Sequence, residues 1–203
     1  TFSTPHGGGG PGSGPVVFSD RLEKFCPTPL VKNIKGDFIL VEDSNEKDLT
    51  KSFGRLNVFH GQMGMFVRAM SYMLSHGADG LKQVSEDAVL NANYLRTSLS
   101  SHLTPAFDGF CMHEILFSDD FLKDTGVETL DFAKAMIDEG YHPMTIYFPL
   151  VIHGALLVEP TETESKQSLD HFIKTLCDLV ERLKKDSDSF KAAPVFTPIR
   201  RLD

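Results

Sequence analysis

Residues 5–15 hold six glycines and three prolines, from Pro5 and His6 through Gly7-Gly8-Gly9-Gly10 to Pro15. That stretch constrains the fold most. Glycine carries the largest backbone entropy cost in regular structure, and proline removes a donor, so neither helix nor strand survives there. The segment must be loop. Four consecutive glycines also leave a row of N–H groups open to close approach, and such backbone nests suit anions. A flexible linker has the same composition, so on composition alone both readings stand. A Walker-type phosphate loop is excluded because no Lys-Ser/Thr pair follows the glycines. A dinucleotide fingerprint is excluded because no strand leads into them.

Downstream the chain alternates. Val16-Val17-Phe18 and Phe38-Ile39-Leu40-Val41 read as short strands, the second behind a Gly36-Asp37 turn. Residues 61–76 carry a helical pattern on Met65, Ala69, Tyr72 and Met73, with Gly77 as its stop. A second helix is predicted from an N-cap at Ser85 to His102, ended by Pro105. Phe110–Phe117 reads as a strand, 127–139 as a helix, and Thr145–Phe148 and Ala155–Val158 as strands. The clearest helix follows Pro160, with Thr161 and Glu164 as a capping box and Leu169, Phe172, Ile173, Leu176, Val180 and Leu183 at helical spacing. From Ala192 the tail reads as a surface arm. From about residue 106 the order strand, helix, strand, strand, helix predicts an α/β layer structure with a small sheet.

Charge and cysteine content narrow the function. The 203 residues have a formal charge of -8, which argues against nucleic acid as a partner, since duplex binding needs Lys and Arg to neutralise phosphates. No apolar run has the length of a bilayer span. Cys26, Cys111 and Cys177 are widely spaced without a CxxC pair, so they predict reduced thiols, with neither a zinc site nor a disulfide framework. His113-Glu114 is not the start of a zinc-protease HExxH motif, because Phe117 stands where the second histidine belongs. Asp119-Asp120 and the carboxylates from Glu159 to Glu164 read as turn and cap residues. His113, His142 and His153 read as structural, and no metal site is expected.

Several blocks resemble one family, that of the glycine cleavage system P-protein, and in particular subunit 2 of its split form. Thr1-Phe2 and Pro5-His6 with the four glycines resemble the segment that follows the family's Schiff-base lysine. His60-Gly61-Gln62 with Arg68 and Tyr72 resembles its next helix entry. Asn91-Ala92-Asn93-Tyr94-Leu95, Gly140-Tyr141-His142-Pro143 and Glu159-Pro160-Thr161-Glu162-Thr163-Glu164-Ser165 match further blocks in order. Tyr147-Phe148-Pro149-Leu150-Val151-Ile152-His153 is similar to the two-subunit version.

The resemblance implies an α/β fold of the fold-type I, PLP-dependent transferase-like class. Residues 1–60 would end the large cofactor domain, 61–105 connect, 106–190 form the C-terminal small domain, and 191–203 form a tail. It implies pyridoxal 5'-phosphate as cofactor and decarboxylation of glycine, with transfer of the aminomethyl group to the lipoyl arm of H-protein. Subunit 1 and lipoylated H-protein are the implied partners, in a heterotetramer, with neither nucleic acid nor membrane. A cytoplasmic location is expected in a bacterium or archaeon, and the mitochondrial matrix in a eukaryote. No catalytic residue is expected within these residues, because the lysine would immediately precede Thr1. Thr1, His6, Gly7, Gly8, His60 and Gln62 are the expected cofactor-binding residues. The alternatives are another fold-type I decarboxylase, or a non-catalytic assembly fragment for which the glycine loop is a docking surface.

Overall fold

The computed structural model describes residues 14, 16–42, 51–58 and 60–200. The chain divides into two compact units between Ser75 and His76.

In the first unit, β1 (Leu30–Ile34) and β2 (Asp37–Val41) form an antiparallel hairpin, with Val31 opposite Leu40 and Asn33 opposite Phe38. Its turn is Lys35-Gly36, both at positive φ (55° and 100°), and the Asn33 side-chain oxygen accepts from the Gly36 N–H at 2.9 Å. That geometry matches the twist of a two-residue hairpin turn, which is why glycine stands there. Val16-Val17-Phe18, expected as a strand, is not one. The partner of β2 is β1.

The helix α1 (Met63–Leu99) is interrupted at Gly77, which takes φ 64° and ψ -175°. Glycine was expected to stop a helix at this point, and it does break the regular φ/ψ. Ser85 does not cap a second helix. It lies inside the helix and donates its hydroxyl to the Leu81 carbonyl at 2.9 Å, the back-bonding open to a mid-helix serine.

The second unit contains an antiparallel four-stranded sheet of order β3-β4-β6-β5, from Thr104–Pro105, Ile115–Ser118, Leu156–Val158 and Thr145–Ile146. Phe117 faces Leu156 and Ile115 faces Val158 in register. Ile115 and Phe117 are buried while Leu116 and Ser118 are half-buried, the alternation of a sheet covered mainly on one face. Three helices complete the unit: α2 (Thr129–Asp138), α3 (Lys166–Leu183) and α4 (Asp188–Ala192). Ala92, Leu95 and Leu99 of α1 join Phe132 and Met136 of α2, Leu176, Leu179 and Leu183 of α3, and Phe190 in one core. Phe132 is fully buried, edge-on to Phe121 with centroids 5.1 Å apart and stacked on Phe190 at 6.1 Å.

Several expected boundaries move for local reasons. The strand predicted over Phe110–Phe117 begins only at Ile115, because the Cys111 N–H donates to Asn93 Oδ1 at 3.1 Å and its carbonyl accepts from Asn93 Nδ2 at 2.7 Å instead of joining a ladder. The strand from Thr145 ends at Ile146, since Tyr147 takes φ 59° and Pro149 has no N–H to donate. The last long helix is capped by Ser165, which accepts from Ser168 N at 3.1 Å, and not by Thr161. A capping box lies instead at Glu128 and Asp131 of α2. The tail is pinned as far as Phe196, because the Asp138 carboxylate accepts from the N–H groups of Val195 and Phe196 at 2.7–2.9 Å.

Burial separates the two units. Among the described residues of the first, only Val41 and Thr28 are buried, while Phe38 is 74% exposed and Val31 63%. A two-stranded hairpin with a bare apolar face is marginal in water. Residues 76–203 expressed alone should therefore melt cooperatively, whereas residues 1–75 alone should bind a hydrophobic dye and show no thermal transition. Phe132→Ala should cost the second unit about 3–5 kcal/mol, read from its denaturant midpoint.

Candidate functional site

Thr1, His6, Gly7 and Gly8 lie outside the described residues. The two expected site residues that are described, His60 and Gln62, stand at the entry of α1 in the first unit. Three pieces of chain are brought together there. The strand β2 ends on buried Val41, which fixes the backbone from which Glu42 projects. Arg55 sits in an isolated parallel bridge to Thr28, whose N–H donates to Gly54 O and whose carbonyl accepts from Leu56 N, both at 2.9 Å. Thr28 is buried, so this bridge is the other fixed point of the unit.

Between those points, one oxygen of Glu42 is shared. His60 Nε2 lies 2.6 Å from Glu42 Oε1, and an Arg55 terminal nitrogen lies 3.3 Å from the same atom. A carboxylate only accepts, so Nε2 carries the proton and donates. Arg55 also donates to the Asn57 carbonyl at 3.3 Å. The hydrogen bonds from His60 and then Arg55 hold the Glu42 carboxyl below its ordinary value of 4.5, against a weaker opposing effect of burial.

The chain then turns at Gly61, whose φ is 105°. A Cβ there would meet the Phe66 ring at 3.1 Å, so the turn into α1 requires glycine both for its φ and for space. The Gln62 carbonyl accepts from Met65 N at 2.8 Å and Phe66 N at 3.1 Å, closing the first turn. Gln62 thus acts through its backbone in starting the helix. Nε2 of His60 is committed to the Glu42 carboxylate. Neither of the two cavities described below is lined by His60 or Gln62.

One of those cavities, of about 400 Å³, is lined mainly by apolar residues including Phe18, Pro27, Pro29 and Val31. The other, about 380 Å³, lies in the second unit beside Asp119, Glu128, Thr129, Tyr147 and His153. There His153 Nδ1 approaches Asp119 Oδ2 to 2.6 Å, and the buried Thr129 hydroxyl donates to Gly154 O at 2.9 Å. A Cβ on Gly154 would fall 2.3 Å from the Asp119 carboxyl, so the loop can close on Asp119 only with glycine at that position. Asp119 was expected as a turn carboxylate and His153 as structural. The pair they form, 34 residues apart, had no signal in the sequence.

No group of three His, Cys, Asp or Glu suited to a metal occurs among the described residues. His113 has only Glu114 and Glu159 at 4.0 Å. Cys26, Cys111 and Cys177 are free thiols, and burial pushes the thiols of Cys111 and Cys177 up, as for inert half-buried cysteines. No helix of the described residues is long and apolar enough to cross a membrane.

The sign of the Glu42 shift fixes a pH dependence. A depressed native value means that the Glu42 contacts contribute fully above about pH 4.5 and are lost as pH falls through the lowered value. Glu42→Gln should therefore be less stable than the wild type at neutral pH. The two denaturation midpoints should converge in acid, and a gap that persists at pH 2 would contradict the assignment.

Comparison with known proteins adds the following. A family profile described as the glycine dehydrogenase C-terminal domain matches residues 84–194. The whole chain aligns at 62% identity with 39% of a Caulobacter vibrioides protein named probable glycine dehydrogenase (decarboxylating) subunit 2. It aligns at 50% with 41% of a Kosmotoga olearia protein of the same name. It therefore spans about two-fifths of the length of these relatives. An inhibitor-bound crystal structure of glycine decarboxylase, the P-protein of the glycine cleavage system, superposes with a TM-score of 0.60. That match covers 79% of this chain and 37% of the other at 18% identity, a likeness of fold.

Proposed function

The chain belongs to the glycine dehydrogenase C-terminal domain family and corresponds to the C-terminal part of subunit 2 of the split P-protein; from that premise we propose that it serves a two-subunit enzyme that decarboxylates glycine. The observation that carries the reading is 62% identity running over the entire chain to a protein of that name. The fold is the fold-type I α/β class of the superposed decarboxylase.

In this proposal glycine loses its carboxyl group as CO2, and the remaining aminomethyl group passes to the lipoyl arm of H-protein. Pyridoxal 5'-phosphate, when bound, supplies the electron sink for that loss. The lysine that carries it belongs directly before Thr1, and Thr1, His6, Gly7 and Gly8 line its surroundings. The described residues contribute in two ways. His60 stands at the entry of α1 with its ring orientation fixed by Glu42, and would meet the cofactor from there. Gln62 starts α1 through its carbonyl. Residues 1–60 finish the large domain, 61–105 connect it to the small domain of 106–190, and 191–203 form the tail. Subunit 1 and lipoylated H-protein are its partners, in a heterotetramer, and the enzyme works in the cytoplasm of a prokaryote or the matrix of a mitochondrion.

A second reading has its own support. With only Val41 and Thr28 buried among the described residues before His76, this stretch alone would behave as a docking fragment without activity.

Full-length subunit 2 co-purified with subunit 1 distinguishes the two. The complex should show a near-ultraviolet to visible cofactor band that borohydride shifts, and peptide mapping should place the reduced adduct on the residue preceding Thr1. It should release CO2 from glycine only when lipoylated H-protein is present in substrate amounts. A colourless complex that takes up no added cofactor would leave only the docking reading.

A further inference from the structure

We propose that Glu42, steadied by the Arg55 guanidinium, is a positioning residue that fixes the proton on His60 Nε2 and so makes Nδ1 the edge that His60 offers to a ligand. The inference deepens the reading of His60 as a site residue and rests on it. Three observations carry it. Glu42 Oε1 accepts from His60 Nε2 at 2.6 Å, and an acceptor with no proton of its own dictates which ring nitrogen bears the hydrogen. Arg55 approaches the same oxygen at 3.3 Å, which keeps the carboxylate charged and limits its freedom to turn away. Both anchors leave fixed points of the unit, since Glu42 follows buried Val41 and Arg55 is held in the bridge to buried Thr28.

A histidine at a loop tip would otherwise sample both tautomers and several ring orientations. Here one rotamer is selected by a carboxylate, and the positive-φ turn at Gly61 places the residue immediately before α1. The pairing also states what His60 does not do. Its Nε2 is not the atom that meets a phosphate or a substrate carboxylate, because a carboxylate already occupies that direction. A ligand that His60 touches meets Nδ1.

Carbethoxylation by diethyl pyrocarbonate, followed by mass spectrometry of the His60 peptide, tests this in full-length subunit 2 complexed with subunit 1. The reagent attacks an unprotonated ring nitrogen, so a ring whose Nε2–H is bonded to Glu42 presents only the more crowded Nδ1. Glu42→Ala should raise the modification rate at His60 by roughly fivefold, the population change expected from losing one hydrogen bond of ordinary net strength. Rates at the other histidines serve as the internal reference. Glu42→Gln should stay near the wild-type rate, because the amide oxygen still accepts from Nε2–H, and Arg55→Ala should fall between.

This rescue by the amide is a readout that a purely structural contribution of Glu42 would not produce. Circular dichroism and the melting temperature of each variant identify any that fails to fold. In that event the Gln and Arg55 variants still decide, since Arg55→Ala reacting at the wild-type rate overturns the proposal. So does an unchanged rate in Glu42→Ala, or equal acceleration in Ala and Gln. The reading beneath it fails separately. If His60→Asn leaves cofactor affinity and the KM for glycine unchanged while Glu42→Ala still accelerates labelling at His60, the clamp stands and His60 is not a site residue.

Discussion

Removal of apolar side chains from water is the constraint on which the rest of this structure depends, and the chain satisfies it unevenly. After His76 one core collects Leu95 and Leu99, Phe117, Phe132, Met136, Leu156, Leu176, Leu179 and Phe190, each no more than 1% exposed. At about 1.5–3 kcal/mol for each large side chain buried, such a set can offset the entropy of ordering a small sheet and its helices. Before His76 the described residues have no counterpart. Val31, Phe38 and Leu40 share one face of the hairpin, and that face is exposed. An apolar hairpin face of this size marks an interaction surface. The relatives are about two and a half times as long, by the 39–41% of their length that this chain covers.

Within the second unit, polar contacts settle what burial alone would leave loose. Asn93 imitates a strand neighbour by bonding both backbone groups of Cys111, and Asn91 donates to the Thr161 carbonyl at 3.0 Å. The Tyr94 hydroxyl bonds Asp170 in α3, while Lys166 reaches Asp170 at 2.7 Å and lies over the Tyr94 ring. Asn91, Asn93 and Tyr94 stand on successive positions around one helix, so three sides of α1 are tied to three different segments. Exposed ion pairs of this kind contribute little energy singly. Their effect is on register, since a slip of α1 by one residue would break all three ties at once. That gives the motif Asn91-Ala92-Asn93-Tyr94-Leu95 a physical meaning: Ala92 and Leu95 face the core while the polar residues between them hold neighbouring chain.

Where one physical signal dominated, the sequence was legible. The periodic stripe of α3 and the strands at 145–146 and 156–158 could be read because apolar spacing matched burial, whereas the helix at 129–138 was legible in extent but not in face, since Leu130 is 41% exposed while Phe132 and Met136 are buried. Gly77 was legible as a break because few other residues tolerate its φ. The failures arose where a distant side chain, a rival cap or a flanking proline overrode the local pattern. Nothing near Phe110 says that Cys111 will bond Asn93 instead of a strand. Ser165 displaced Thr161 as the cap because two capping residues four positions apart compete for the same helix start, and propensity does not rank them. The strand β1 was hidden by the prolines before it, which mark a turn and say nothing of the alternation that follows.

The candidate site was legible in a narrower sense. His60 and Gln62 were found through resemblance, and the carboxylate that gives His60 its orientation was not, because it lies 18 residues earlier in a stretch without periodic pattern. An imidazole has two chemically different edges, and a residue name does not say which is presented. A histidine with both nitrogens free would meet a ligand by either edge and discriminate neither. Pinned by Glu42 and Arg55, His60 is limited to a single direction of approach. With Nε2–H donating to Glu42, Nδ1 is the edge left for a ligand, and only the fold, through a carboxylate remote in sequence, decides that.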